Sequence, residues 1–333
     1  MAFADISFDV MLAHLDHLAQ SALALWDLPP DAVARRINVS ENVTYLVEAA
    51  DGFRAVLRVH RENYHSRRAI ESELAWMGAL EQEGVVATPK HFLGRDGKAI
   101  QEFSLTGLRA PRYLVLFHFV RGRQPDQRDD LSGAFHQLGA IAARMHLHAR
   151  QWQRPDGFER LLWDETAVFG PNPIWGDWRN GPYVDQAIRA ILERVESTLQ
   201  DRLSAFGKGP ARFGLIHADM RLANLLISNA APRVIDFDDC GFGWFLSDFA
   251  AAISFIETDP SIPELKAAWL DGYRTIHPLS AADEAEIDSF IMLRRLALLA
   301  WIGSHADAPE PQALAPHFAQ GSAELAERWL SAQ

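Results

Sequence analysis

Residues 214–248 read GLIHADMRLANLLISNAAPRVIDFDDCGFGWFLSD, and this stretch decides the fold. An apolar pair, Leu215-Ile216, runs into His217-Ala218-Asp219, and the amide of Asn224 follows five residues after Asp219. A second carboxylate, Asp236, ends the next short apolar run. A carboxylate and an amide so spaced in one loop can face the same metal–phosphate centre. A carboxylate at the end of the following strand then completes an oxygen-donor set for a hard divalent cation. Phosphoryl transfer from ATP needs such oxygens, together with a group that orients the acceptor hydroxyl and takes its proton.

Working outward, residues 8–26 place apolar side chains at helical spacing and stop at Pro29-Pro30. The period then changes. Residues 36–49 and 52–60 are rich in β-branched and aromatic residues, and Asp51-Gly52 between them predicts a hairpin. Residues 66–83 return to helical spacing, with Ser66 as cap and Gly84 just past the end. Strand-like runs follow at 97–103 and 113–120, then a polar linker at 121–130. Helices are expected at 129–150, 183–206, 246–257, 261–276, 283–304 and 316–331, with a β-rich insertion at 215–237. The order predicts a β-rich lobe and a helical lobe with a cleft between them. The expected divisions are an N-terminal helix at 1–30, an N-terminal lobe at 31–120 and a C-terminal lobe at 121–333.

The composition excludes several classes. The 333 residues are 48% hydrophobic and 23% charged, which is globular. A net charge of −12 argues against a non-specific nucleic-acid binder. No apolar run approaches the roughly 20 residues that span a bilayer. One cysteine, Cys240, leaves no internal disulfide, and with an N-terminus lacking a basic signal region the expectation is a cytoplasmic protein. Oligomeric state is not legible.

HADMRLAN resembles the catalytic loop of the protein-kinase-like fold, and VIDFDD resembles its metal-binding segment. The form is most similar to the aminoglycoside phosphotransferase and choline kinase superfamily, nearest to its homoserine-kinase-like and stress-response-kinase-like bacterial members. The resemblance runs in order from about residue 36 to 257. It implies a protein-kinase-like α+β fold, with a small antiparallel sheet and one principal helix over a larger helical lobe, and ATP in the cleft. It also implies Asp219 as base, Asn224 and Asp236 as magnesium ligands, and Asp248 as a brace on the catalytic loop. In the N-terminal lobe it places the phosphate-covering turn at Ser40-Glu41-Asn42, with Ser40 and Asn42 toward the nucleotide. Arg58 stands where most members carry lysine, Glu73 is its helix partner, and Phe117 and Phe119 lie in the segment that meets the adenine. The turn lacks the glycine-rich pattern. Arginine keeps the charge but is longer and planar, so Arg58 marks either a shifted nucleotide pose or a weak or inactive kinase.

Arg221 is a candidate to neutralise charge on the transferring phosphate, or else to bridge Asp219 or Asp238. His217 reads as a packed loop histidine rather than a base. Asp238 and Asp239 read as neighbours of a ligand rather than as ligands. Gly241-Phe242-Gly243 is not a dinucleotide fingerprint, because Leu246 stands at the third glycine position. His146 and His148, two apart on a helix, face different ways and read as surface or core residues. Between Gln151 and Pro182 lie Trp152, Trp163, Trp175 and Trp178. They could cage a quaternary ammonium, with Asp164, Glu165 and Asp177 pairing an amine, but anchoring of an irregular connection is the favoured reading. This segment is expected to line the acceptor pocket. The function expected is transfer of the terminal phosphoryl group of ATP, with magnesium, to a small-molecule hydroxyl on a hydroxy amino acid or amino alcohol such as homoserine. A stress-response type of protein serine/threonine kinase and a non-catalytic nucleotide-binding pseudokinase are the alternatives.

Overall fold

The computed structural model describes residues 7–125, 131–227 and 233–333. The chain forms two compact units, one built from residues up to Gly78, Thr88–Arg121 and Pro155–Glu159, the other from Ala79–Ala87, Gly122–Arg154 and Arg160–Gln333.

In the first unit, β1 (Val33–Val39), β2 (Val43–Glu48), β3 (Arg54–Val59), β4 (Gln101–Phe103) and β5 (Arg112–His118) form an antiparallel sheet in the order β1-β2-β3-β5-β4. The β2–β3 hairpin turns where Asp51-Gly52 predicts it. Gly52 has φ +89°, which a Cβ disfavours, and Asp51 Oδ1 accepts the Phe53 N–H at 2.8 Å. Helix α1 (Phe8–Ala22), capped by Ser7, belongs to this unit and is not a separate domain. Its Leu12, Leu15 and Leu18 are buried with Tyr45, Val47, Leu57 and Leu116 of the sheet. Each such leucine contributes about 1.5–3 kcal/mol. The Tyr45 hydroxyl donates to Asp16 at 3.0 Å, which fixes the helix against β2. Helix α2 (Arg67–Gln82) starts at Ser66, whose Oγ accepts the Ala69 N–H, and stops before Gly84 at φ +66°.

The second unit is mainly helical. Its helices are α3 (Leu131–Gln151), α4 (Glu165–Phe169), α5 (Gln186–Phe206), α6 (Ser247–Ala252), α7 (Ile262–Arg274), α8 (Ala281–Ala285), α9 (Ile287–Ser304) and α10 (Pro309–Ser331). β6 (Leu161–Trp163), β7 (Phe213–Ile216) and β10 (Gly241–Trp244) form one small sheet in the order β6-β10-β7, and β8 (Leu225–Leu226) pairs with β9 (Arg233–Val234). Helices α3 and α7 cross at paired glycines. A Cβ on Gly139 would lie 1.9 Å from the Trp269 carbonyl oxygen, and one on Gly272 1.8 Å from that of His136. Gly241-Phe242-Gly243 proves to be strand, as expected of a sequence that is not a dinucleotide fingerprint. A Cβ on Gly241 would meet the Leu161 carbonyl at 2.5 Å.

Three helix boundaries differ from expectation. The run 246–257 ends its helix at Ala252, and Phe255 takes φ +73°. The run 283–304 is broken at Glu286 into α8 and α9. Helix α10 begins seven residues early, at Pro309, so that Pro316 lies inside it. An interior proline removes its own N–H bond and crowds the carbonyl four residues back, yet the buried face of Phe318, Ala319, Ala323, Ala326 and Trp329 carries the helix through. The expected linker at 121–130 and the expected helix start at 129 fall partly outside the described residues, as does the middle of the 215–237 insertion.

Candidate active site

The chain enters the site on β7, and the loop after it is pinned by one buried carboxylate. Asp248, at the start of α6, accepts the Ala218 N–H on Oδ1 at 2.7 Å and the His217 N–H on Oδ2 at 3.2 Å. These bonds hold Ala218 in a left-handed backbone conformation (φ +65°), which costs an alanine about 1–2 kcal/mol. That turn aims the next residue, Asp219. The brace expected of Asp248 is therefore present, and it has a second layer that the sequence reading missed. His146 Nε2 lies 3.0 Å from Asp248 Oδ2, and its Nδ1 lies 3.1 Å from the Tyr273 hydroxyl. His146 is a fully packed residue of the brace, whereas His148 packs two residues on beside Glu83 at 3.5 Å.

His217 is wholly buried. Its Nε2 lies 3.2 Å from the Ile235 carbonyl, its Nδ1 accepts the Asp219 N–H at 3.3 Å, and its ring packs on Phe237 at 4.5 Å. It joins the loop to the Ile-Asp-Phe segment, as the packed-histidine reading expects. Asn224 Nδ2 donates both to the Asp219 carbonyl at 2.9 Å and to Asp219 Oδ2 at 2.7 Å. Pairing of Leu225 with Val234, and the Ile235 N–H bonded to the Asn224 carbonyl at 2.9 Å, set Asp236 one residue from the position opposite Asn224. Asp236 itself has φ +63°, a strained conformation of the kind found where a side chain must be aimed. The Asn224 amide nitrogen makes both bonds to Asp219, which leaves its carbonyl oxygen for a cation. The Asn224 amide oxygen and the Asp236 carboxylate are hard oxygen donors, the type that a divalent ion such as magnesium takes.

Arg221 Nε lies 3.5 Å from Asp219 Oδ2, and its Nη1 bonds Glu310 at 3.0 Å. The charge of Asp219, opposed by burial and reinforced by Glu310 and Asp236, holds the guanidinium above the ordinary arginine value. Of its two expected roles, the bridge to Asp219 is present in the structure. The carbonyls of Asp238 and Cys240 accept from Arg160, and that of Asp239 accepts from Trp163 Nε1 at 2.6 Å.

The tryptophans do not form a four-ring cage. Trp178 is buried with its Nε1 on Glu196 at 2.8 Å, and Trp152 stacks on His148. Trp163 and Trp175 pair with ring centroids 5.0 Å apart. The acids that are the alternative partners for an amine already have cationic partners: Asp164 and Glu165 share Lys208 at 2.7 and 2.9 Å, and Asp177 bonds Arg179 at 3.3 Å. Burial alone would raise the Asp164 carboxyl, but hydrogen bonds from Lys208 and Thr166 outweigh it and hold it below the usual carboxylate value. A small, mainly apolar pocket lies beside the catalytic loop, walled by Trp163, Val168, Ile216, Ala218, Leu293 and Arg294.

Arg294 went unseen in the sequence reading. Its Nη2 donates to Asp219 Oδ1 at 3.1 Å and its Nε to Ser254 Oγ at 3.2 Å, with the guanidinium 5.2 Å from the centre of the Trp175 ring. The signal was available, since FIMLRRLALLAW carries two arginines in a helix that is otherwise apolar all round. The other arginine, Arg295, bonds Glu257, Ser322 and the Phe318 carbonyl, and joins α9 to α10.

In the first unit Arg58 Nη1 donates to Glu73 Oε1 at 2.7 Å, and the Glu73 side chain is wholly buried. The guanidinium lies 5.0 Å from the Phe117 ring. Asn42 is buried with its Oδ1 accepting the Arg61 N–H at 3.2 Å, and the Ser40 N–H bonds the Asn42 carbonyl at 2.9 Å, closing the β1–β2 turn. Phe117 is buried in β5, and Phe119 lies under the Arg54 guanidinium at 3.9 Å.

A sheet unit carrying a strand cation with its helix glutamate, and a helical unit carrying an Asp–Asn loop followed by Ile-Asp-Phe, define the protein-kinase-like α+β fold. Residues 33–284 match the phosphotransferase enzyme family (APH), and the chain belongs to that family. It is similar to a solved structure of a microcompartment-associated aminopropanol kinase, at 44% identity over 95% of this chain and 98% of that one, with a TM-score of 0.88. It is also similar to amicoumacin kinase from Bacillus subtilis (strain 168), 24% identical over 85% of this chain and 81% of the relative. The structure of an amicoumacin kinase in complex with AMP-PNP, Ca2+ and Ami shares the fold, at 21% identity over 96% of each chain, with a TM-score of 0.76. The chain is thus a kinase-type phosphotransferase acting on a small-molecule hydroxyl. No helix among the described residues is long and apolar enough to cross a membrane.

Proposed function

We propose that this protein transfers the terminal phosphoryl group of ATP to the hydroxyl of a small amino alcohol, in the reducing cytoplasm that its lone, buried Cys240 suits. The observation that carries the acceptor class is the 44% identity, over nearly the whole chain, to an aminopropanol kinase. The geometry of the Asp219 loop supports the reaction type.

In this reading Asp219 accepts the proton as the acceptor oxygen bonds to the γ-phosphorus. The bond from that phosphorus to the bridging oxygen breaks, and its electron pair stays on ADP. Asn224 and Asp236 would hold Mg2+, which supplies charge neutralisation on the phosphates when bound. Arg58, aligned by Glu73, steadies the non-reacting phosphates, and Ser40, Asn42, Phe117 and Phe119 belong to the nucleotide's surroundings. Arg221 stands ready beside Asp219 for charge that develops on the transferring group. Catalysis is then mainly positioning and electrostatics.

The test is ADP release with ATP and Mg2+ across aminopropanol isomers, ethanolamine, homoserine, choline and a generic protein substrate, with Asp219→Asn as control. Turnover with an amino alcohol that vanishes in the control supports the proposal. Preference for homoserine would move the acceptor to the hydroxy amino acids, and preference for the protein would favour the protein-kinase alternative. ATP binding without turnover on any acceptor would point to a pseudokinase, and Arg58→Lys would then be the informative variant.

A further inference from the structure

The two oxygens of Asp219 have different neighbours. Oδ2 accepts from Asn224 at 2.7 Å and faces Arg221 at 3.5 Å, so it belongs to the metal-ligand side of the loop. Oδ1 accepts from Arg294 Nη2 at 3.1 Å, and Arg294 also walls the small apolar pocket that Ala218 and Trp163 share. Arg294 is itself fixed at two further points, with Nε on Ser254 Oγ at 3.2 Å and its guanidinium plane near the Trp175 ring. The side chain is only 12% exposed, so this is a set arrangement and not a surface ion pair.

We propose that Arg294 is the positioning residue of the acceptor side. It fixes the rotation of the Asp219 carboxylate so that Oδ1, the oxygen on the pocket side, is the one presented to the acceptor hydroxyl. The inference rests on Asp219 being the base. The planar fork matters, because one rigid group reaches Ser254 and Asp219 through separate nitrogens in a fixed geometry, whereas lysine offers a single nitrogen on a flexible stem that cannot span both positions. A carboxylate free to rotate loses the alignment from which much of a positioning enzyme's rate derives.

The experiment compares Arg294→Gln, Arg294→Lys and Ser254→Ala with the wild type, reading kcat and the KM of each substrate. Turnover is read with the acceptor that the wild type uses, or as ATP hydrolysis if water is its only acceptor. Arg294→Gln is expected to lower kcat about 30–100-fold while the KM for ATP moves less than about threefold. Arg294→Lys is expected to recover no more than about a tenth of the wild-type kcat, and Ser254→Ala to lose about three- to tenfold. In a fourth variant, Arg294→Ala, millimolar guanidinium is expected to restore part of the turnover without raising the urea midpoint, whereas a merely structural defect would recover both together. Arg294→Gln within threefold of wild-type kcat, or Arg294→Lys fully active, would overturn the proposal. The Asp219→Asn control separates the two readings: if that variant keeps its activity, the base assignment falls and the inference with it. If it is silent while Arg294→Gln is normal, only the inference falls.

Discussion

Replacing Asp248 by asparagine tests whether the catalytic loop is held by one carboxylate. In the wild type the two oxygens accept the N–H groups of His217 and Ala218, and His146 Nε2 lies against Oδ2. Asparagine keeps the shape, but its single carbonyl can serve only one of the two N–H donors, and its NH2 group must face another. A hydrogen bond to a charged acceptor contributes about 1.5–3 kcal/mol, and a buried donor left unpaired costs about 1–3 kcal/mol. One lost charged bond and one unpaired donor, partly relieved by relaxation of the loop, give about 2–4 kcal/mol. That is less than the roughly 5–15 kcal/mol stability of an ordinary domain, so the variant folds. Ala218 then has less to hold its left-handed backbone, Asp219 moves, and a displacement near 1 Å costs about 10²-fold in rate. Urea unfolding gives the first number and steady-state ADP release the second. A variant whose urea midpoint is unchanged and whose kcat is within threefold of wild type would refute the reasoning.

Gly139→Ala drives a Cβ to 1.9 Å from the Trp269 carbonyl, so a loss at or beyond the ~3 kcal/mol of ordinary overpacking is expected by denaturant titration. Gly78→Ala, in the open interior of α2, is the control and should change stability by no more than about 1 kcal/mol, in the favourable direction. Lys208→Met removes the partner of Asp164, whose carboxyl is held below its ordinary value. Such a group stabilises the fold above its unfolded value near 3.9 and loses that contribution as pH falls through the depressed folded value. The variant should therefore melt below wild type at neutral pH, with the gap narrowing below about pH 4; a gap independent of pH would argue against the pair. Arg58→Ala strands the buried Glu73 carboxylate and should cost about 3–5 kcal/mol by urea titration, whereas Arg58→Lys should remain folded and within tenfold of wild-type turnover.

The loop motif was legible because its chemistry forces residue type and spacing together: Asp219, Asn224 and Asp236 are recognisable without knowing what surrounds them. The Arg58–Glu73 pair was reached through the family resemblance, which calls for a strand cation and a helix counter-charge, and the two side chains meet at 2.7 Å. The brace was only half visible. Asp248 follows the loop in sequence, but His146 and Tyr273 reach it from α3 and α7, and nothing local marks a histidine as the partner of a carboxylate 102 residues away. Arg294 was hidden in the same way, although a charge within a helix buried on every side is a sign that it has a partner. Helix ends failed where tertiary packing overrode local signals. Pro316 reads as a boundary, yet the buried face of α10 runs straight through it. The amine-pairing alternative for Asp164 could not be weighed from sequence, because its partner Lys208 lies 44 residues on.

The side chains that brace the loop backbone from behind and those that wall the pocket beside it are mostly different, Arg294 alone being a wall that also holds a loop side chain. His146, His217, Asp248 and Tyr273 hold the backbone from behind, and none of them lines the pocket that Trp163, Val168 and Leu293 enclose. Inheritance can therefore act on the two separately. If that pocket receives the acceptor, drift at Val168 or Leu293 alters which molecule is welcome and leaves the reacting loop intact, whereas Ala218 and Arg294 serve both sides. Relatives whose names run from an amino alcohol kinase to an antibiotic kinase are what such a division of labour would leave behind.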